Sequence, residues 1–222
     1  MSATIVALHG FLGCGADWAA VQAASSFRAR WVCPDLFAPS TNGFARPPEI
    51  SQAWLVGYSF GARLALRWLT GQPERWQGAL LLSVNPGNFM TDAQRAEREQ
   101  ADRRWAAAFR AEGWEAVLAR WNTQQIFSGR GGPSRREADF DRARLAEALE
   151  NHSVAGQFTD QAKLPGRLVW LAGAEDGKFV SLLGSMRSTG FPGTFSTVAG
   201  AGHRLLFDAP GAVAAALDQL TA

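Results

Sequence analysis

Trp54-Leu55-Val56-Gly57-Tyr58-Ser59-Phe60-Gly61-Ala62-Arg63 decides how the rest of this chain is read. An apolar run with the character of a buried strand stops in G-x-S-x-G. A helical pattern follows at once, with Leu64, Ala65, Leu66, Trp68 and Leu69 as its apolar face. That context turns a common five-residue pattern into a strand-to-helix elbow with Ser59 at its tip. Gly57 and Gly61 suit so tight a turn, because a Cβ at either place would crowd neighbouring backbone. The helix behind the serine opens with the positive end of its dipole.

Working outward, Thr4 to Leu8 reads as a strand that stops at His9-Gly10-Phe11-Leu12-Gly13. In a fold with a serine elbow, a His-Gly turn after an early strand supplies a second backbone N–H for an oxyanion hole. The donors would be the amides of Phe11 and Phe60, and His9 is expected to orient the loop rather than to transfer protons. Ala16 to Ser25 is helical with Trp18 and Val21 facing inward, and Arg30 to Cys33 is a strand ended by Pro34. The Pro/Gly/Ser-rich stretch 35–52 has few helix formers, so the crossover helix expected there is reduced or missing.

Downstream of the elbow, Ala79 to Val84 is another buried-looking strand, after which the pattern turns to helices alone from Asn85 to about Gln161. Such an insertion belongs above the carboxyl ends of the strands, where open α/β sheets bind ligands. Thr91 reads as an N-cap, Gly113 as the stop of one long helix, and Ser134 to Glu137 as a capping box opening another. On a helical wheel Trp105 and Phe109 fall within about 20° of Arg98. That places an arginine in an apolar stripe, either paired to an acid such as Asp102 or held over a pocket to bind an anion.

Leu168 to Ala172 and Thr194 to Val198 resume the strand pattern, and helical residues from Pro210 close the chain. The alternation predicts an α/β fold with a doubly wound, mostly parallel sheet, its core at 1–85 and 162–222 and a helical cap at 86–161. An acid follows the penultimate strand and a histidine the last, giving the order Ser59, Asp176, His203. A serine hydroxyl needs an imidazole to take its proton, and a carboxylate on the other ring nitrogen fixes the tautomer. Glu175 and Asp208 are alternatives to Asp176, which the turn-forming Gly177 favours. His152 is read as incidental.

The 222 residues suffice to bury a core without staples. A formal charge of +2 and 19% charged residues argue against nucleic acid as a partner. Arginine supplies 20 of the basic residues and lysine only Lys163 and Lys178. Cys14 and Cys33 are too few for a disulfide framework, and no Cys/His cluster suggests a metal. With neither a leader nor a long apolar run in the sequence, the expected location is the cytoplasm, without membrane insertion. No motif implies an organic cofactor, and oligomeric state is not legible.

These motifs resemble the α/β-hydrolase superfamily and, more narrowly, the 2-succinyl-6-hydroxy-2,4-cyclohexadiene-1-carboxylate (SHCHC) synthase family. The narrower resemblance rests on Val56-Gly57-Tyr58-Ser59-Phe60-Gly61-Ala62-Arg63, Asn85-Pro86-Gly87, Gln94-Arg95-Ala96-Glu97-Arg98 with Asp102, Arg103 and Trp105, Arg120-Trp121, Gln125-Ile126-Phe127, and Gly173-Ala174-Glu175-Asp176-Gly177-Lys178-Phe179. It implies a lyase of menaquinone or phylloquinone biosynthesis, in which the serine-histidine-aspartate set abstracts a ring proton and pyruvate leaves. It also implies a polycarboxylate substrate held by Arg63 and Arg98, with Tyr58, Trp121 and Phe127 as aromatic pocket residues. A carboxylesterase and a non-catalytic scaffold are the competing expectations. The chain departs from the family in three places. A third lid arginine has no clean match among Arg135, Arg136 and Arg142. Asp35-Leu36-Phe37-Ala38-Pro39-Ser40 replaces an Asp-Leu-Pro-Gly-His-Gly pattern. The first two strands of the superfamily sheet are absent, so about six strands are expected.

Overall fold

The computed structural model describes residues 3–40, 49–50, 52–128 and 130–222. Every residue of β3 (Ala53–Tyr58) is buried, because its alternating side chains meet an apolar layer on each face of the sheet. Ala53 and Leu55 join one cluster, while Trp54, Val56 and Tyr58 join the other. The same division runs through β1 (Ala3–Leu8), where Val6 and Leu8 oppose Ile5 and Ala7. In β4 (Trp76–Leu82) it separates Ala79 and Leu81 from Leu80 and Leu82.

With β2 (Ala29–Val32), β5 (Leu168–Gly173) and β6 (Thr194–Val198) these strands make one six-stranded sheet, parallel throughout, in the order β2-β1-β3-β4-β5-β6. Helices α1 (Ala19–Ala24) and α8 (Pro210–Thr221), with the short α7 (Leu205–Asp208), cover one face, and α2 (Phe60–Gly71) and α6 (Gly177–Ser188) the other. The sheet is doubly wound, as the alternation predicts, and has the expected six strands. The reading of a missing crossover helix falls largely on residues 41–48 and 51, outside the described residues.

The chain goes from β1 to β2 on one side and returns to β3 on the other, so the sheet reverses direction at β1/β3. Ligand crevices form at the carboxyl ends of strands at such a switch point. Leu8 pairs with Gly57, which sets the loop after β1 beside the elbow after β3. The approach is close. A Cβ on Gly57 would sit 2.6 Å from the Ala62 Cα, and one on Gly61 would sit 2.2 Å from the Leu8 carbonyl oxygen. Both obstacles are backbone, so relief requires moving a strand. Gly61→Ala is therefore expected to destabilise the fold by about 3 kcal/mol, read as a lower denaturant midpoint at constant m-value. An unchanged midpoint would refute this packing.

Between β4 and β5 lie α3 (Asp92–Ala111), α4 (Trp114–Asn122) and α5 (Arg142–Asn151). Thr91 caps α3 in a full capping box with Gln94. One boundary reading is refined and another corrected. The long helix stops beside Gly113 as expected, at Ala111, but Gly113 is at φ −60° rather than left-handed and serves as the N-cap of α4, whose amide at Val117 bonds its carbonyl. Ser134 opens no helix, because Arg135 beside it is drawn into a salt bridge with Asp17 while its carbonyl accepts from the Trp114 indole. Asp141 does the capping instead, accepting from the amides of Ala143 and Arg144 at the start of α5.

Candidate active site

Ser59 occupies the turn between β3 and α2 at φ +51°, ψ −107°, a conformation that L-residues rarely adopt. It is held there by its amide donating to the Leu82 carbonyl at 2.9 Å and by its own carbonyl accepting from Arg63 N–H at 3.1 Å. The side chain is thereby presented at the carboxyl end of the sheet, half-buried, where His203 meets it.

His203 and Asp176 arrive on the loops after β6 and β5, and the backbone brings those loops together. Ala174 N–H donates to the Val198 carbonyl and Glu175 N–H to that of Ala201. Gly173 lies so near the histidine loop that a Cβ would be 2.2 Å from the Gly202 carbonyl oxygen. His203 Nε2 lies 3.1 Å from Ser59 Oγ, and its Nδ1 lies 2.7 Å from Asp176 Oδ2. A carboxylate only accepts, so Nδ1 carries the proton and the Nε2 lone pair is left for the serine hydroxyl. Asp176 stands at the N-cap of α6 yet makes no side-chain bond to that helix. Its buried carboxylate goes to the imidazole instead.

The geometry also separates the three acids that sequence leaves open. Glu175 pairs with Arg130, and Asp208 accepts from Gly202 N–H at 2.8 Å and pairs with Arg130 at 3.2 Å. Both brace the histidine loop from outside, whereas Asp176 touches the ring. His9 is fully buried, with Nδ1 donating to the Gly10 carbonyl at 2.8 Å and Nε2 accepting from Leu36 N–H at 2.9 Å. Burial lowers its pKa to about 4, which keeps it neutral in this bridging role. It orients the loop that carries Phe11.

Ser59 and His203 open on a cavity of about 120 Å³ whose wall includes Phe11, Tyr58, Phe60, Trp121 and Phe127. The expected oxyanion residues and aromatic pocket residues thus share one wall. Phe11 packs at a tilt against Trp121, with centroids 4.7 Å apart, and Phe127 and Phe179 flank the His203 ring at 6.0 and 4.8 Å. Burial raises the Tyr58 phenol well above its ordinary pKa, so it stays neutral.

Arg63 and Arg98 line the same cavity. Arg98 is paired to Asp102, as one half of its sequence reading has it, and also lines the cavity. Its Nε and Nη2 grip the buried Asp102 carboxylate at 2.8 Å each, and among the described residues Nη1 makes no hydrogen bond. Arg63, one turn beyond Ser59, donates to the His152 carbonyl and stacks 5.2 Å from the Phe60 ring. Burial and the neighbouring Arg98 charge pull it down to about 9, which leaves it charged at neutral pH. None of Arg135, Arg136 and Arg142 lines this cavity. Arg135 is spent on Asp17, Arg136 on Asp139, and Arg142 on the carbonyls that end α3 and on Glu137.

Four residues escaped the sequence reading. His152, taken there as incidental, holds Arg63 through its carbonyl and accepts from Arg67 at Nδ1, 2.5 Å away. Burial, then Arg67 and Arg63, lower it to about 4, so it is neutral and fit to accept. Ser83, at φ +47°, donates to the His203 carbonyl at 3.3 Å. Arg204 stacks 3.8 Å over Phe127 and bonds the Arg130 carbonyl and Asn122, tying the 122–130 segment to the histidine loop. Lys178 lines the cavity as well. Only Lys178 carried a signal, as part of the quoted Gly173 to Phe179 motif.

No protein-family model matches the chain. SHCHC synthase of Escherichia coli O1:K1 is 33% identical over 180 residues, covering 78% of this chain and 69% of that protein. The Shigella flexneri serotype 5b enzyme of the same name is 31% identical over 240 aligned positions, covering 97% of this chain and 92% of its own length. Among solved structures, MenH from S. aureus superposes with a TM-score of 0.82 at 18% identity, covering 98% of this chain and 92% of that one. A thermophilic esterase from Thermogutta terrifontis follows the same fold with a TM-score of 0.71 at 16% identity, covering 100% and 90%. Likeness at such identities fixes the fold and leaves the reaction to the site.

Proposed function

Because this chain belongs to the SHCHC synthase family, we propose that it eliminates pyruvate from 2-succinyl-5-enolpyruvyl-6-hydroxy-3-cyclohexene-1-carboxylate to give SHCHC, in menaquinone or phylloquinone biosynthesis. The observation that carries this reading is the pairing of a Ser59–His203–Asp176 hydrogen-bonded chain with guanidinium groups in the cavity it faces. A polycarboxylate gains charge-assisted bonds from Arg63 and Arg98, whereas a neutral acyl chain would have to desolvate them without return.

In this mechanism Ser59 Oγ and His203 Nε2 together act as the base. A ring C–H proton passes through the serine hydroxyl to His203, its electron pair shifts the ring double bond, and the C–O bond to the enolpyruvyl group breaks. The departing enolate takes up a proton and becomes pyruvate. Asp176 favours the imidazolium that forms, and the amides of Phe11 and Phe60 are assigned to the developing negative charge. Tyr58, Trp121 and Phe127 shape the wall around the ring. Residues 86–161 act in this reading as a cap over the core formed by 1–85 and 162–222, delivering Arg98, Trp121 and Phe127 to the site.

No helix among the described residues is long and apolar enough to cross a membrane, and both cysteines are free thiols. A small-molecule substrate and a cytoplasmic location fit these facts and complete the proposal.

Pyruvate release by the purified protein from freshly generated substrate, corrected for spontaneous decay, tests the reading beside a panel of short p-nitrophenyl esters. Acceleration of pyruvate release with little ester cleavage is the expected result. Ester turnover alone would make the protein a serine hydrolase with the same triad. The contribution of Arg98 requires care, since removing it alone would strand the buried Asp102 carboxylate, at a stability cost of about 3 to 5 kcal/mol. The double variant Arg98→Met/Asp102→Asn avoids this. It is expected to raise KM by about 10- to 100-fold with little change in kcat, as loss of one charge-assisted carboxylate contact dictates.

A further inference from the structure

Besides Arg63 and Arg98, a third cation lines this cavity. Lys178 lines the wall with Ser59, Arg63, Arg98 and His203. Its ammonium lies 5.9 Å from the Phe179 ring centre, and Phe179 in turn packs against the His203 imidazole. Among the described residues Lys178 makes no hydrogen bond and no ion pair. The nearby acids are engaged elsewhere, Asp102 with Arg98 and Asp176 with His203.

Its place on the helix is also against the ordinary preference. Lys178 is the second residue of α6, where the positive end of the helix dipole disfavours a cation by about 0.3 to 1 kcal/mol. Desolvation and the facing Arg98 charge both lower its pKa. The Asp176 carboxylate opposes these effects in part but is itself bonded to His203, so an anion entering the cavity would be the first direct partner of the ammonium.

We propose that Lys178 is the third carboxylate-binding cation of this site, completing with Arg63 and Arg98 a set that takes a tricarboxylate. This assignment rests on the function proposed above, whose substrate carries a ring, a succinyl and an enolpyruvyl carboxylate. It places the third positive charge on the core side of the cavity, two residues from Asp176.

The test compares wild type, Lys178→Met and Lys178→Arg in pyruvate release, and in calorimetric binding of tricarballylate and of succinate. Lys178→Met is expected to raise KM about tenfold with kcat within about threefold. It should weaken tricarballylate binding by a similar factor and leave succinate binding nearly unchanged, and Lys178→Arg should restore both. Melting temperature serves as a fold control, and removal of the cation from α6 should leave it equal or slightly higher. An unchanged KM in Lys178→Met overturns the proposal, as does an arginine variant no better than methionine. The failure of the functional reading is distinct, since it appears as a wild type that releases no pyruvate. In that event tricarballylate binding alone decides the role of Lys178.

Discussion

Replacing Ser59 with alanine is expected to lower kcat for pyruvate release by about a thousandfold, within the range that positioned acid–base groups supply, and to leave KM nearly unchanged. Arg63, Arg98 and the aromatic wall would remain in place, so the ground-state complex still forms. What disappears is the hydroxyl that stands 3.1 Å from His203 Nε2 and carries the proton toward it. The competing mechanism has His203 reach the ring proton directly, with the serine a bystander at the elbow. The two differ in pattern as well as in size. If serine relays the proton, Ser59→Ala and His203→Ala are comparably impaired and the double variant is little worse than either, because they act as a unit. If histidine acts alone, Ser59→Ala keeps most of the rate and only His203→Ala loses it. Steady-state kinetics on the three variants, with circular dichroism to verify folding, decides between them.

The elbow was legible because several local requirements coincide there. A buried strand, two glycines at fixed offsets and an amphipathic helix are each dictated by short-range sterics, and the structure places backbone against both glycines. The chain order of Ser59, Asp176 and His203 was readable for a similar reason, since each ends or follows a strand whose apolar run is plain. Selection of Asp176 over Glu175 and Asp208 required geometry, because all three follow the last two strands closely and only a distance separates a ring contact from a brace.

Elsewhere, long-range contacts override local signals. Ser134 to Glu137 has the residues of a capping box, yet Arg135 pairs with Asp17 and only a short 3-10 turn, Glu137–Asp139, follows, capped by Arg136 and not by Ser134. The motif Gln94 to Arg98 divides in three dimensions. Gln94 completes a cap, Arg95 bonds the carbonyls of Gly87, Ala155 and Gln157, and Arg98 alone reaches the cavity. A helical wheel marks Arg98, but nothing in the wheel shows that one guanidinium can both pair with Asp102 and line the cavity. Ser83 is invisible in sequence because a serine at positive φ looks like any other serine. His152 acts largely through its backbone carbonyl, which no side-chain pattern encodes.

Asp176→Asn should be the most informative isosteric change in the site, with kcat expected to fall by about a thousandfold or more while the fold is kept. The carboxylate at 2.7 Å forces the proton onto His203 Nδ1, so Nε2 can accept from Ser59. An asparagine presents either an amide oxygen, which keeps that tautomer without the charge, or an NH₂, which reverses it and turns Nε2 into a donor facing a hydroxyl. Neither arrangement supports the imidazolium as an aspartate does, and the second abolishes the base outright. Nitrogen chemical shifts of the His203 ring distinguish them, since the protonated nitrogen moves from Nδ1 to Nε2 only in the second. Glu175→Gln and Asp208→Asn provide the contrast. Their carboxylates brace Arg130 and the Gly202 amide rather than the imidazole, so each should slow turnover no more than a few-fold. A wild-type rate in Asp176→Asn would mean that the imidazole holds its tautomer without the charge. The buried carboxylate would then serve only to join the β5 and β6 loops.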